Sequence, residues 1–393
     1  MRLLIEHAQL FTPQGAWPHG WLLAEDGRIA AMGQGAAPPL DAPRYDAAGC
    51  ALLPGFIDVH VHGSIGHEAM DATPEALDAL ARHFARHGVT GFLATTWTDA
   101  PDRIDAALRS AAAYRGVSDG AAVLGVHLEG PYLNPAKCGA QNPALIRRAP
   151  PDEVTRFLDY GVIRLFALAP EYPEHAAVIE ACAARGIAVS AAHTDATYAQ
   201  MEAAVARGLS QTTHTFNAMS PLSHREPGVV GAAFALDALR CELICDLIHV
   251  HAAAVRALWL AKRAEGVLLI TDAVRPAGLP DGPYVNDGRP VMVRDGAVRL
   301  PDGTLAGSTL TMDAALRNLL AALGGRFTLA DVWPAVSLTP ARAIGLSARK
   351  GSLEVGKDAD LVVLDRTLHV AATVVGGRVV FARPAAAETG SAS

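Results

Sequence analysis

The sequence predicts an α/β protein: one (β/α)8, TIM-like barrel carrying a small β-sandwich assembled from both chain ends. Three observations carry that expectation. Between residues 54 and 275 an Ala-rich helical stretch repeatedly ends in Gly and runs at once into a short aliphatic segment. The joints read ARHG-VTGFLATT, LDYG-VIRLFALAP, AARG-IAVSAAHT, VARG-LSQTTHTF and RAEG-VLLITDA. The aliphatic segments number eight, the strand count of a barrel, whereas a doubly wound open sheet usually has about five or six. The first of them ends in HVHGSIG, which lacks the glycine fingerprint of a dinucleotide-binding turn. Length alone, 393 residues, suggests two or three domains of ~150 residues, but a barrel can run ~250 residues as one unit.

The elements follow in order. Residues 2–11 and 20–33 read as short strands, with Glu25 to Arg28 as a hairpin turn. The barrel strands are expected at roughly 54–62, 89–96, 122–130, 162–170, 187–194, 209–217, 241–249 and 267–274, each short and rich in β-branched residues. Gly88, Gly161, Gly186, Gly208 and Gly266 sit where the preceding helices need a left-handed cap. Helix starts are marked by Thr73-Pro74, by Asp99 before Pro101, and by Pro151-Asp152-Glu153. A β-rich stretch near 284–306, with turns at Asp295-Gly296 and Asp302-Gly303, follows the last barrel strand and is expected to overhang the barrel mouth. Residues 359–382 read as further strands with Gly376-Gly377 as a turn, and the tail after Arg383 is expected to be disordered. Neither end has enough strands to be stable alone. The expected division is therefore 1–53 plus 345–393 as the small β-domain and 54–344 as the catalytic barrel.

Composition narrows the function. Hydrophobic residues are 51% and charged residues 19%, enough to bury a large core and unlike a disordered or fibrous chain. The formal charge of −7 offers no basic face for nucleic acid. No ~18-residue apolar run suggests a membrane span, and the start MRLLIEHAQLF, broken by Glu6 and His7, does not read as a signal peptide. Five cysteines with no CxxC pair point to reduced thiols and a cytoplasmic location.

The chemistry gathers at strand ends. In PGFIDVHVHG, His60 and His62 stand two apart on a strand, so both imidazoles point to one side. Glu129 closes the third strand, His193 the fifth and Asp272 the eighth, with His214 near the end of the sixth. Barrel active sites lie at that face. Any one of these residues has a dull explanation, a hydrogen-bonded core histidine or a helix cap; six at one mouth do not. Imidazole with carboxylate suits Zn2+, with Fe2+, Mn2+ and Co2+ as alternatives. The set allows two ions sharing Glu129, or one ion with the others as auxiliaries. Such an ion supplies Lewis acidity that brings the pKa of a water towards ~7, and a carboxylate at Asp272 can accept the water proton and pass it to a leaving amine.

With these residues in view, the chain resembles the N-acetylglucosamine-6-phosphate deacetylases of the amidohydrolase superfamily. The strings LPGFIDVHVHG and KGSLEVGKDADLVVLD place it in the superfamily; HLEGPYLNP, THTFNAM, REPG and LAGSTLTMD are the specific ones. The resemblance implies Glu129, His193 and His214 as primary metal ligands, His60 and His62 as a second metal site, and Asp272 as general acid and base. It further implies substrate contacts from Ala140, Gln141, Asn217, Ala218, Arg225 and His249, the last four around a 6-phosphate, with Arg225 reaching in from a partner subunit of a homodimer. Three positions depart from the pattern. Gln141 stands where some members have a carbonyl-polarising His, Leu247 where Gly is usual, and Arg275 where a smaller uncharged residue is usual, so that its cation is expected to alter sugar or leaving-group preference.

The expected function is deacetylation of N-acetyl-D-glucosamine 6-phosphate, a small phosphorylated amino sugar. The alternatives are an N-acetylgalactosamine-6-phosphate deacetylase, a cyclic amidase, or a barrel kept as a non-catalytic module. Three further features take ordinary readings. Gly351 to Lys357 spells GxxxxGK but continues into Asp358 and a strand, unlike a phosphate loop. Cys138 has no base beside it, and His127 shares a strand face with Glu129 as support for the site.

Overall fold

The computed structural model describes residues 1–384; the expectation for the tail after Arg383 falls, apart from Pro384, outside them. Eight parallel strands form the barrel sheet: Phe56–Val61, Val89–Thr95, Ala122–Glu129, Ile163–Leu168, Ala188–Ala191, Leu209–Thr212, Arg240–Ile244 and Val267–Ile270, hydrogen-bonded in sequence order. Helices such as Pro74–Ala85, Pro101–Ala113, Pro151–Asp159 and Ala252–Gly266 pack outside, and their apolar faces join the strands in two large apolar clusters, the first and last of these helices in one and the middle two in the other. The barrel closes at its mouth, where Asp272 donates its backbone N–H to the His60 carbonyl at 2.9 Å and His62 donates to the Ala273 carbonyl at 2.9 Å. Asp58 reinforces the seam by accepting from the Thr271 hydroxyl at 2.6 Å.

Thr73 caps the helix Pro74–Ala85 by accepting from the Ala76 amide, and the glycines at 88, 161, 186 and 208 all take positive φ. Gly266 does not. The helix Ala252–Gly266 breaks earlier, at Arg263, which holds φ 54° itself. The expected strand ends at 194, 217, 249 and 274 are also too long, since pairing stops at Ala191, Thr212, Ile244 and Ile270. The reason is local: His193, His214 and Asp272 have φ of 43°, 31° and 49°, a left-handed turn that no β ladder continues.

Both chain ends share one sheet. Its order runs Arg378–Ala382, Val370–Val375, Leu361–Leu364, Ala51–Pro54, Arg2–Thr12, Gly15–Glu25, Arg28–Gln34. Ala51–Pro54 is the junction, parallel to Arg2–Thr12 on one side and antiparallel to Leu361–Leu364 on the other. Alternation of side chains then gives two faces. Leu361 and Val363 join Ile5, Leu22, Ile29 and Val374 in a core of their own, while Val362 and Leu364 pack into the barrel core. A separate four-stranded antiparallel sheet spans Gly282–Asn286, Arg289–Arg294, Ala297–Arg299 and Leu305–Ser308, and Thr304, Leu305 and Gly307 reach the mouth of the barrel.

Candidate metal centre

The six predicted groups converge. On the first strand Asp58, His60 and His62 alternate inward, all buried, against outward Val59 and Val61. Glu129, at the end of the third strand, is 1% exposed and faces two sets of histidines. Its Oε1 lies 3.2 Å from His193 Nε2 and 3.1 Å from His214 Nε2. Its Oε2 lies 3.2 Å from His62 Nε2 and 3.7 Å from His60 Nε2. Asp272 Oδ1 completes the second set at 3.4 Å from both His60 and His62.

This arrangement fits a divalent ion. Nitrogen and oxygen ligands held at ~2.0–2.1 Å in a tetrahedron stand about 3.3 Å apart. The Nε2 atoms of His193 and His214 are 3.2 Å apart, matching their separations from Glu129. His60 Nε2 is buried without a hydrogen-bond partner although it faces two carboxylates. Two of the histidines are anchored by their other nitrogen: His193 Nδ1–H donates to the Lys137 carbonyl at 2.8 Å, and His60 Nδ1–H to Glu242 at 2.9 Å. An anchored Nδ1–H leaves Nε2 as the coordinating lone pair.

The carboxylates and imidazoles of the centre shift one another. Burial alone would push Glu129 and Asp272 up, but His60 with its histidine neighbours holds Glu129 well below the carboxylate range and Asp272 below it. Burial would likewise lower His60 and His62, yet the carboxylates of Glu129 and Asp272, with Glu242 beside His60, raise both. His127 goes the other way: burial and the neighbouring His60 drive it well below the usual imidazole value. Asp58, buried under the seam, is pushed up to about 7.

A cavity of about 360 Å³ opens over the cluster, lined among others by His62, Trp97, Ala140, Gln141, Asn217, Ala218, His249 and Asp272. Five of the six expected substrate contacts are thus brought together. Arg225 is not among them; it is exposed, with Nη1 2.9 Å from His224 Nε2. Asn217 donates its side-chain amide to the His214 carbonyl at 3.1 Å, fixing the ligand loop. His249 is held by Asp246 at 2.6 Å. Gln141 donates Nε2 to Glu129 Oε2 at 2.7 Å and accepts from the Thr98 amide at 2.9 Å, so its side chain braces the shared carboxylate.

Two departures acquire an explanation. Arg275, expected to alter sugar or leaving-group preference, pairs its guanidinium with Glu68 at 2.8 Å and Asp71 at 2.5 Å, tying down the loop after the first strand. Leu247 adopts φ 64°, a conformation Gly takes without strain. The ordinary readings also find their contacts. Lys357 pairs with Glu354 at 2.8 Å, and all five cysteines are free. His127 lies edge-on to His60 at 4.5 Å between ring centroids.

Sequence reasoning missed Glu242, Trp97 and Lys137. Trp97 stacks on His62 with centroids 3.8 Å apart and planes at 14°, and Lys137 lines the cavity while pairing with Asp195 at 3.0 Å. The available signal for Glu242 was a lone acid set among the apolar Cys241, Leu243 and Ile244 of a barrel strand, RCELI.

Comparisons with known proteins place the chain in a family. A model of the amidohydrolase family matches residues 51–380. N-acetylglucosamine-6-phosphate deacetylase of Bacillus subtilis (strain 168) is 38% identical over 389 residues, covering 96% of this chain and 97% of the relative. N-acetylgalactosamine-6-phosphate deacetylase of Escherichia coli O157:H7 is 40% identical over 383 residues, covering 96% and 99%. Among solved structures, N-acetylglucosamine-6-phosphate deacetylase from Pasteurella multocida superposes with a TM-score of 0.92 at 31% identity, over 98% of this chain and 100% of that one. A single-residue variant of the Mycobacterium smegmatis enzyme, in complex with N-acetyl-D-glucosamine-6-phosphate, gives 0.88 at 33% identity, over 97% and 99%. The match spans the whole barrel together with the junction strand Ala51–Pro54, and so the chain belongs to the amidohydrolase family.

Proposed function

We infer that this chain is a divalent-metal-dependent deacetylase that converts N-acetyl-D-glucosamine 6-phosphate to D-glucosamine 6-phosphate and acetate. The observation that carries the reading is Glu129, whose two oxygens face two histidine pairs while Asp272 stands on the cavity wall. Glu129, His193 and His214 would hold one ion, and His60, His62 and the second Glu129 oxygen another. Bound there, Zn2+, or else Fe2+, Mn2+ or Co2+, supplies Lewis acidity to a water and to the acetyl carbonyl. Asp272 accepts the proton of the attacking water at its carboxylate and returns it to the departing sugar nitrogen. Trp97 and the overhanging Thr304–Gly307 segment wall the cavity against bulk water. Ala140 and Gln141 border the acetyl end, and Asn217, Ala218 and His249 border the phosphate. Arg225, exposed here, fits a role completed in a homodimer, where its guanidinium fork from one subunit meets the phosphate in the other.

Two further readings go with this one. The chain divides into a small domain, 1–53 plus the segment from 345 onward, and the catalytic barrel of 54–344, and the enzyme works in the cytoplasm; among the described residues no helix is long and apolar enough to cross a membrane. The 40% identity to a galactosamine-type relative supports the epimeric sugar as the second reading. Acetate release from N-acetylglucosamine 6-phosphate, N-acetylgalactosamine 6-phosphate and unphosphorylated N-acetylglucosamine, after reconstitution with each metal in turn, tests both. The glucosamine phosphate should turn over fastest; equal turnover of the unphosphorylated sugar would overturn the phosphate assignment.

A further inference from the structure

Beneath the ligand layer lies an acid with no part in the reaction. Glu242, on the strand Arg240–Ile244, has no exposed surface, and its strand neighbours Cys241, Leu243 and Ile244 are buried and apolar. Its Oε2 accepts from His60 Nδ1–H at 2.9 Å and from the His214 backbone N–H at 3.2 Å, while Oε1 has no partner. A buried carboxylate carries a large desolvation cost, so an apolar side chain would be the more stable occupant unless the acid's contacts matter.

Those contacts converge on the metal centre. A carboxylate at Nδ1 requires the proton there and leaves the His60 Nε2 lone pair free. That Nε2 is the atom 3.4 Å from Asp272 and 3.7 Å from Glu129, without any hydrogen bond. His193 receives the same treatment from the Lys137 carbonyl, whereas His60 has only Glu242 to do it. His127 packs against the His60 ring in a T-shaped pair, with centroids 4.5 Å apart and planes at 90°. We propose that Glu242 is a positioning residue that fixes the tautomer and direction of His60, and so gives the His60–His62 half of the centre its affinity for a divalent ion. The proposal rests on the metallo-hydrolase reading above.

Full-length apoprotein of wild type, Glu242→Leu and Glu242→Gln is titrated with Zn2+ by equilibrium dialysis, and with Co2+ by its d–d absorption. Wild type should take two ions per chain. Glu242→Leu should keep the ion held by Glu129, His193 and His214 but bind the other about ten- to hundred-fold more weakly, the usual effect of losing such an anchor. Glu242→Gln retains an oxygen acceptor for Nδ1–H and should fall between the two. The proposal is overturned if wild type saturates at one ion, or if Glu242→Leu binds the second ion as wild type does. Should Glu242→Leu not fold, wild-type affinity in Glu242→Gln overturns it instead. Acetate release by wild type is measured separately: its absence would remove the deacetylase reading and leave the binding result standing.

Discussion

Glu129 can join two histidine pairs because a carboxylate has two oxygens on one rigid plane, and Gln141 holds that plane at 2.7 Å. Asp272 is placed by its backbone, which donates to His60 and accepts from Ser308 at 2.8 Å, so its side chain can change without moving the turn. Asp272→Asn should therefore lower kcat by about 10²–10⁴-fold while metal content, measured on the purified protein, stays at the wild-type level. Arg225 touches no ligand of the centre. Arg225→Ala should raise KM for the phosphosugar by about ten- to hundred-fold, the effect of losing a charged hydrogen bond, with little change for an unphosphorylated sugar; an unchanged KM would remove it from the phosphate site.

The loop after the first barrel strand is held to the loop after the eighth through Arg275, whose partner Glu68 is buried. Arg275→Ala leaves that carboxylate unpaired and should cost about 1–3 kcal/mol in urea unfolding, without changing the order of preference among amino sugars. The helix Met312–Leu323 depends on Asp313 in its first turn, which bonds to Thr311, His87 and Arg317. Burial pushes the Asp313 carboxyl up, but these partners hold it well below the usual range. A depressed folded pKa stabilises above the unfolded value, ~3.9, and that stability is lost as pH falls through the folded one. Asp313→Asn should accordingly melt below wild type at pH 7, with the gap closing under about pH 4. At this scale the legibility of the sequence has a clear limit. Glycine joints and aliphatic runs announce the strands, and strand-end His and Asp residues announce the centre, because both signals are local. The left-handed turns at His193, His214 and Asp272 carry no glycine, so the strands read too long. The partners of Arg275 and Glu242 come from distant segments, and no local pattern encodes them.

Across the whole molecule, the apolar excess is accounted for by the barrel core with its helical jacket and by the smaller core of the shared sheet. The −7 charge coexists with a pocket that recruits cations, because two buried carboxylates and four histidines face one another out of water. Removing metal with a chelator should lower Tm by several degrees and readdition should restore it, since an ion at 100 times its Kd contributes about 2.7 kcal/mol. The shared sheet adds a constraint in time. Ala51–Pro54 leaves the ribosome early, but its antiparallel neighbour Leu361–Leu364 is translated about 300 residues later, which at ~5–20 residues per second is about 15–60 s. Throughout that interval the nascent chain presents an unpaired β edge, a template for aggregation. Synthesis rate and chaperone supply, rather than the stability of the finished barrel, should then set the soluble yield.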